Sequence, residues 1–307
     1  MIIKSKKIWM DGKFVDWDKA NVHILTHTLH YGLGVFEGIR CYELASGSSA
    51  FFRLQEHMQR LFDSAHMFNL KIPFTAKELI KASLDLFKIN KLKSGYLRPL
   101  VYLGAGSMGL NYQEDNLVRV SLAAWPWGTY LGDKGVKNGI RAKVASFARH
   151  RPNIMLPKAK ACGNYVNSIL AKKEALNGGY EEALMMDTEG YLVEASAESL
   201  FIIRDGMVRT PPMESSALKS ITRDSVIAIL KNEQVPLTEE KFLRDDAYIA
   251  DEIFITGTAA EVCPIRELDD RRIGTGRPGP ITQKIQKIFF DVVKGKVEKY
   301  GDWLTPL

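Results

Sequence analysis

Tyr96-Leu-Arg-Pro-Leu-Val-Tyr-Leu103 runs directly into Gly104-Ala-Gly-Ser-Met-Gly109, then Leu110-Asn-Tyr-Gln-Glu-Asp-Asn116, then a second apolar stretch, Val118-Arg-Val-Ser-Leu-Ala-Ala-Trp125. The glycines match G-x-G-x-x-G and follow a strand. A dinucleotide fingerprint must also open a helix inside a strand-helix-strand unit. Here the glycines lead instead into a polar, aperiodic stretch and another strand. This reading makes 104–109 a loop and predicts an α+β domain with helices against an antiparallel sheet, not a doubly wound one.

Outward from this stretch the pattern holds. Ile8-Trp-Met10, Asp11-Gly12 and Lys13-Phe-Val15 give a two-residue hairpin signal. Residues 36–44 and 50–53 read as strands, with Ser46-Gly-Ser48 as their turn. From Leu54 the period changes: Leu54, Met58, Leu61, Ala65 and Phe68 share one helical face, and residues 76–88 repeat that pattern. Residues 126–139 are rich in glycine and lack periodicity, which predicts a linker between a domain of residues 1–125 and one of 140–307. In the second domain, strands are expected at 140–147 and 252–256. Helices are expected at 164–176, near Ser220, over 239–249, and from Ile281 to about Tyr300. Gly178-Gly179 ends the first of these helices.

The 307 residues are 46% hydrophobic and 25% charged, the balance of a globular chain with a sizeable core. The apolar runs are too short to cross a bilayer, and residues 1–7 lack a secretory signal. Three cysteines, Cys41, Cys162 and Cys263, form no paired framework, which predicts a cytoplasmic protein. A net charge of +6 without a basic block argues against nucleic acid as a partner.

Several residues bear chemistry. His23, His27 and His30 have spacings that metal ligands on a helix could use, but no carboxylate or thiol completes a set, so packing roles and no metal are expected. Lys160, in Ala159-Lys-Ala-Cys-Gly-Asn-Tyr165, is flanked by small residues where a ligand could lie against the backbone. A lysine that presents its amine to a carbonyl needs such a setting. Glu194 lies between two apolar strand segments, where a carboxylate needs a cation or hydrogen-bond donors. Ser220-Ile-Thr-Arg223 opens a helix whose free N–H groups suit a phosphate. Thr256-Gly-Thr-Ala-Ala260 offers a second backbone nest.

In combination these motifs resemble the fold-type IV pyridoxal-phosphate enzymes, and most closely the bacterial branched-chain amino-acid aminotransferases. Leu29-His-Tyr-Gly32, Val35-Phe-Glu-Gly-Ile-Arg40, Glu56-His-Met-Gln-Arg60, Tyr96-Leu-Arg-Pro99, Lys160-Ala-Cys-Gly-Asn-Tyr165, Ile221-Thr-Arg-Asp224 and Thr256-Gly-Thr-Ala-Ala-Glu261 carry the resemblance in order. It implies a two-domain α/β protein, with an N-terminal α+β domain, a C-terminal domain on a barrel-like sheet, and pyridoxal 5'-phosphate between them. Lys160 would be the Schiff-base lysine and catalytic base, and Glu194 the partner of the pyridine nitrogen. Tyr165 would bond the phenolic oxygen, and Arg60, Ile221, Thr222 and Thr258 would hold the phosphate.

For substrate, the resemblance implies an apolar pocket of Tyr31, Phe36 and Tyr130, with Arg40 also lining the site. Tyr96, Thr258 and Ala259 would take the α-carboxylate, and Arg98 the distal carboxylate of glutamate. Leu110 and Tyr31 would reach a neighbouring subunit in a homodimer or a trimer of dimers. The implied reaction is ping-pong transfer between branched-chain L-amino acids and 2-oxoglutarate, giving branched 2-oxo acids and L-glutamate. A D-amino-acid aminotransferase or an aminodeoxychorismate lyase shares the lysine and glutamate but differs in the substrate motifs. Three positions depart from the pattern: Ser199 for the usual Asn, Lys219-Ser220 for Pro-Gly, and Cys162 for a frequent Gly. Cys162, so near the lysine, is expected to be oxidation-sensitive.

Overall fold

The computed structural model describes residues 2–128 and 130–307; Met1 and Thr129, the latter in the expected linker, lie outside it. The chain forms two compact units, one of Met1–Gly128, Ala159–Asn164 and Val292–Leu307, the other of Thr129–Lys158 and Tyr165–Asp291. This differs from a single division at 126–139, because two later segments return to the first unit.

The first unit is built on an antiparallel sheet in the order Leu304–Pro306, Ser49–Phe52, Ile39–Glu43, Gly95–Leu103, Val118–Trp125, Lys7–Met10, Lys13–Asp16, with Gly34–Phe36 also paired on Gly95–Leu103. The first hairpin turns through Asp11 and Gly12, both at positive φ (46° and 90°), as a tight two-residue turn requires. Asp11 also accepts from Val120 N at 2.9 Å, fixing the hairpin to the neighbouring strand. The helices Leu54–Met67 and Ala76–Ile89 bury the faces their periodicity marks. Leu54, Met58, Leu61, Leu79, Leu86 and Phe87 join Val35, Ile39, Phe51, Leu97 and Val101 in one core. A capping box of Thr75 and Glu78 starts the second helix.

The glycine-rich stretch after Leu103 is a loop. A Cβ on Gly106 would lie 2.7 Å from Asn116 Nδ2 and 2.8 Å from Asp115 O, so this glycine serves a close approach within the loop. Asp115 accepts from Ser107 N at 2.9 Å, and Asn116 Nδ2 donates to Ser107 O at 3.0 Å.

The second unit has a nine-stranded sheet that curls onto itself. Leu192–Ala195, Glu182–Met186, Ile140–Val144, Glu261–Leu268, Glu252–Gly257 and Ser199–Arg204 pair in succession, and the first and last of these pair again through Glu194 and Ser199. That seam makes the sheet barrel-like. Met207–Thr210 and Leu237–Glu239 extend it beyond Ser199–Arg204. Ile140–Val144 and Glu182–Met186 are parallel, joined through the Tyr165–Asn177 helix, which buries Ala171 and Ala175 against Ala183 and Met185.

Three expected elements differ. The aperiodic 126–139 contains a helix, Gly132–Asn138, whose one buried side chain is Val136; a single anchor leaves no apolar period to read. The helix expected over 239–249 is only Arg244–Tyr248, because residues 240–243 stay extended. There Leu192 N donates to Phe242 O at 3.0 Å, and Asp246 accepts from Leu243 N at 2.8 Å. The last long helix, Pro280–Val293, stops short of Tyr300. Gly295 adopts φ 70°, and a 3-10 turn, Glu298–Trp303, leads into the edge strand Leu304–Pro306.

Candidate active site

In the first unit, residues 159–163 lie extended along Gly34–Phe36. Phe36 N donates to Lys160 O at 3.0 Å, Cys162 N to Gly34 O at 2.8 Å, and Gly163 N to Gly32 O at 3.2 Å. Side chains alternate along such a segment. Ala159 and Ala161 therefore turn inward and are buried, while Lys160 is half-buried on the other face. Strand packing thus accounts for the small size of Ala159 and Ala161. Gly34 has the same cause: a Cβ there would meet Thr28 Cγ2 at 2.9 Å, Val101 O at 3.1 Å and Cys162 Sγ at 3.3 Å.

The Lys160 ammonium lies 5.2 Å from the centre of the Phe36 ring, and the Arg98 guanidinium lies 4.8 Å from the same ring and 5.4 Å from that of Tyr96. Arg98 Nε is buried without a hydrogen-bond partner among the described residues, the mark of a donor awaiting an anion. Tyr96 is buried edge-on against Trp127, with ring centres 4.3 Å apart. A Cβ on Gly38 would fall 1.7 Å from the Tyr96 hydroxyl. The glycine in Val35-Phe-Glu-Gly-Ile-Arg40 thus makes room for Tyr96. Arg40 donates to Gly128 O at 2.9 Å and lies 5.8 Å from the Trp127 ring.

Sequence reading missed how Arg60 is held. Its Nε and Nη2 donate to the two carboxylate oxygens of Glu37 at 2.6 and 2.9 Å, and His57 Nδ1 lies 2.7 Å from Glu37 Oε2. Burial opposes ionisation of Glu37, but Arg60 and His57 outweigh it and hold the carboxyl well below its usual range. Burial pushes His57 down despite Glu37, keeping the imidazole neutral. Glu37 and His57 are 20 residues apart, and nothing local in the sequence announces the pair.

Of the three closely spaced histidines, His27 is buried while His23 and His30 are exposed, and each ring bonds the backbone. His27 Nε2 bonds Gly109 O at 2.8 Å, His30 Nε2 bonds Ile24 O at 2.9 Å, and Leu25 N donates to His23 Nδ1 at 3.1 Å. The Tyr31 ring lies tilted against His27, with centres 4.6 Å apart, and Tyr31 is 43% exposed, while Leu110 is 88% exposed. Cys162 is half-buried and burial pushes its thiol up, with Arg98 opposing weakly. Burial thus disfavours the thiolate, the form through which a cysteine reacts.

In the second unit, Glu194 lies buried at the barrel seam. Its cation is Arg149, which sequence reading missed: Nε donates to Glu194 Oε1 at 2.6 Å, and Nη1 to Ser168 Oγ at 3.0 Å and Asn167 Oδ1 at 3.1 Å. In Arg149-His-Arg151 the charge reads as solvated surface, and only the tertiary structure separates Arg149 from its neighbours. Tyr165 opens the Tyr165–Asn177 helix and is half-buried.

Ser220 caps the Ile221–Asn232 helix by accepting from Arg223 N at 3.1 Å. The N–H groups of Ile221 and Thr222 have no carbonyl a turn earlier to bond, a fit for a phosphate oxygen. Thr258 and Ala259 occupy the tight turn between Glu252–Gly257 and Glu261–Leu268, where Glu261 is at φ 58°. Tyr130 lies beneath the Lys172 ammonium, 5.4 Å from ring centre to Nζ. Lys172 is ion-paired with buried Glu182. Glu198, buried nearby, is pushed up to about 8 by loss of solvent and by the Glu182 carboxylate.

A seam-buried carboxylate, a lysine on a pinned strand and a capped helix start are features of one group of enzymes. The sequence profile described as Amino-transferase class IV matches residues 34–268, and the chain belongs to that family, with its fold-type IV architecture. It is 48% identical over 298 residues to the branched-chain-amino-acid aminotransferase of Pseudomonas aeruginosa, covering 97% of this chain and 96% of that one. The solved Escherichia coli branched-chain amino acid aminotransferase superposes with a TM-score of 0.96 at 43% identity, covering 98% of this chain and 99% of that chain. The Thermobaculum terrenum enzyme of that name, solved in its PLP form, superposes with a TM-score of 0.91 at 33% identity, covering 98% of each.

Proposed function

We propose that this chain is a branched-chain amino-acid aminotransferase that uses pyridoxal 5'-phosphate. The observation that carries the substrate reading is that one aromatic ring, Phe36, holds both the Lys160 ammonium and the Arg98 guanidinium against it. An apolar side chain packs on the ring, and a distal carboxylate takes the unpartnered Arg98 Nε as a charge-assisted donor. Branched-chain and acidic substrates thereby share one location, as transfer between leucine, isoleucine or valine and 2-oxoglutarate requires.

Pyridoxal 5'-phosphate supplies a carbonyl to receive the amino group and a ring that accepts electron density. Lys160 would carry the cofactor through its amine and then serve as the base that takes up and returns the substrate Cα proton. Glu194, oriented by Arg149, would pair with the protonated pyridine nitrogen. Tyr165 donates to the phenolic oxygen. The N–H groups of Ile221 and Thr222, with Thr258, would hold the phosphate, and Arg60, itself held by Glu37, would add a cation to it. Tyr96 and the Thr258–Ala259 turn would take the α-carboxylate, and Tyr31, Tyr130 and Arg40 would contact the rest of the substrate.

We further place the enzyme in the cytoplasm as a homodimer or trimer of dimers. Three free cysteines support the compartment. Among the described residues no helix is long and apolar enough to cross a membrane. Exposed Ile24, Leu29, Met108 and Leu110, in segments joined by the His27–Gly109 bond, support a partner subunit that covers them.

The test is the visible spectrum of the purified protein. A bound-cofactor band lost on adding L-leucine, but not D-alanine, is expected. A band answering only to D-alanine would end the substrate reading, and no band after adding pyridoxal phosphate would end the cofactor reading.

A further inference from the structure

Residues 211–219 connect the Met207–Thr210 strand to the capped start of the Ile221–Asn232 helix, and two cations grip them. Lys158 Nζ donates to three backbone carbonyls at alternate positions: Met213 O, Ser215 O at 3.2 Å and Ala217 O at 3.0 Å. An ammonium has three N–H groups and no acceptor, so these carbonyls use its whole donor capacity. From the helix side, Arg223 Nη2 donates to Pro211 O at 2.8 Å and to Glu239 at 2.8 Å, and its Nε to Thr210 Oγ1 at 3.3 Å. Burial pushes the Lys158 ammonium below the ordinary lysine range, with Glu194 and Glu214 opposing and Arg223 adding to it.

The helix start needs such a clamp here. Only two residues, Leu218 and Lys219, separate the last clamped carbonyl from the Ser220 N-cap, so the clamp acts directly on the helix start. Three convergent carbonyls are also the donor set of a hard monovalent cation, whose ligands are oxygens and whose charge an ammonium reproduces.

We propose that Lys158 is a built-in cation that positions the phosphate-holding start of the Ile221–Asn232 helix, and that removing its side chain converts the Met213, Ser215 and Ala217 carbonyls into a potassium or ammonium site. The inference rests on the cofactor reading above. Lys158 touches neither reacting atoms nor phosphate; it acts through the backbone.

The experiment is an absorbance titration of pyridoxal phosphate into cofactor-stripped wild-type and Lys158→Ala protein, each in choline chloride and then in potassium, ammonium or sodium chloride. The variant is expected to bind at least ~10-fold more weakly than wild type in choline, about one lost charge-assisted bond. Potassium or ammonium should bring it back to within about 3-fold, a recovery scaled to that same loss. Wild type should be indifferent to the salt. Lys158→Met, which keeps the apolar stem and fills the space, should bind weakly in every salt and provides a second reading if the alanine variant misfolds by circular dichroism. Wild-type affinity of Lys158→Ala in choline, or equal weakness in all salts, would overturn the proposal, as would cation rescue of Lys158→Met. Wild-type protein that binds no pyridoxal phosphate would instead overturn the cofactor reading.

Discussion

Arg98 combines two physical states that rarely coexist: its guanidinium lies against two aromatic rings, yet its buried Nε has no hydrogen-bond partner among the described residues. Ring contact orients the cation at modest energy, whereas a hydrogen bond to a charged group is worth about 1.5–3 kcal/mol. Arg98→Ala should therefore lower kcat/KM for glutamate and 2-oxoglutarate by roughly 10- to 100-fold. The loss for leucine should be several-fold smaller. Equal losses in steady-state kinetics with both substrates would show that Arg98 only props Phe36 and Tyr96. Lys160 and Glu194 stand out in the sequence because their immediate neighbours are unusual for a charged residue, whereas Arg98 is marked only by the family resemblance. Arg149 and the Glu37–His57 pair do not stand out, because a buried ion pair is a property of two distant segments and neither half is unusual alone.

At the scale of elements, the device that presents Lys160 is the backbone pairing of residues 159–163 with Gly34–Phe36. The pairing is close because Gly34 lacks a Cβ. An added methyl would press on Thr28 Cγ2, on Val101 O and on Cys162 Sγ, the last of which sits on the lysine strand. Gly34→Ala should cost about 1–3 kcal/mol, the range for overpacking, seen as a lower thermal midpoint and weaker pyridoxal phosphate binding. An unchanged midpoint and affinity would detach the lysine strand from this contact. Elements with a sustained period, Leu54–Met67 and Ala76–Ile89, could be read from the sequence to within a residue or so. The 239–249 stretch was misread because its helical pattern is local, while the pairing of Leu192 with Phe242 that holds it extended comes from 50 residues away.

Over the whole molecule, the sequence pointed to strands and helices but not to the seam between Glu194 and Ser199, a closure that depends on the curvature of an entire sheet. Beside that seam the protein buries Glu198 and Glu182 with the single ammonium of Lys172. One cation cannot offset two carboxylates, so Glu198 keeps its proton up to about pH 8 in the folded state, pushed there by burial first and Glu182 second. Unfolded, it releases the proton near pH 4.5. Between those values the folded state binds the extra proton, so this group's contribution to stability is full below about pH 4.5 and is lost as pH rises towards 8. Every tenfold difference in proton affinity between the two states corresponds to about 1.4 kcal/mol, which makes the loss a few kcal/mol. His57, buried and shifted down, acts with the opposite sign: its contribution appears as pH rises through the ordinary histidine range. The two are separated by comparing variants. Glu198→Gln, which cannot ionise, should gain on wild type in thermal midpoint steadily from pH 5 to pH 8, while the His57 component cancels in the difference. A midpoint difference that stays constant across that range would mean that Glu198 is already ionised in the folded protein and that Lys172 serves both carboxylates.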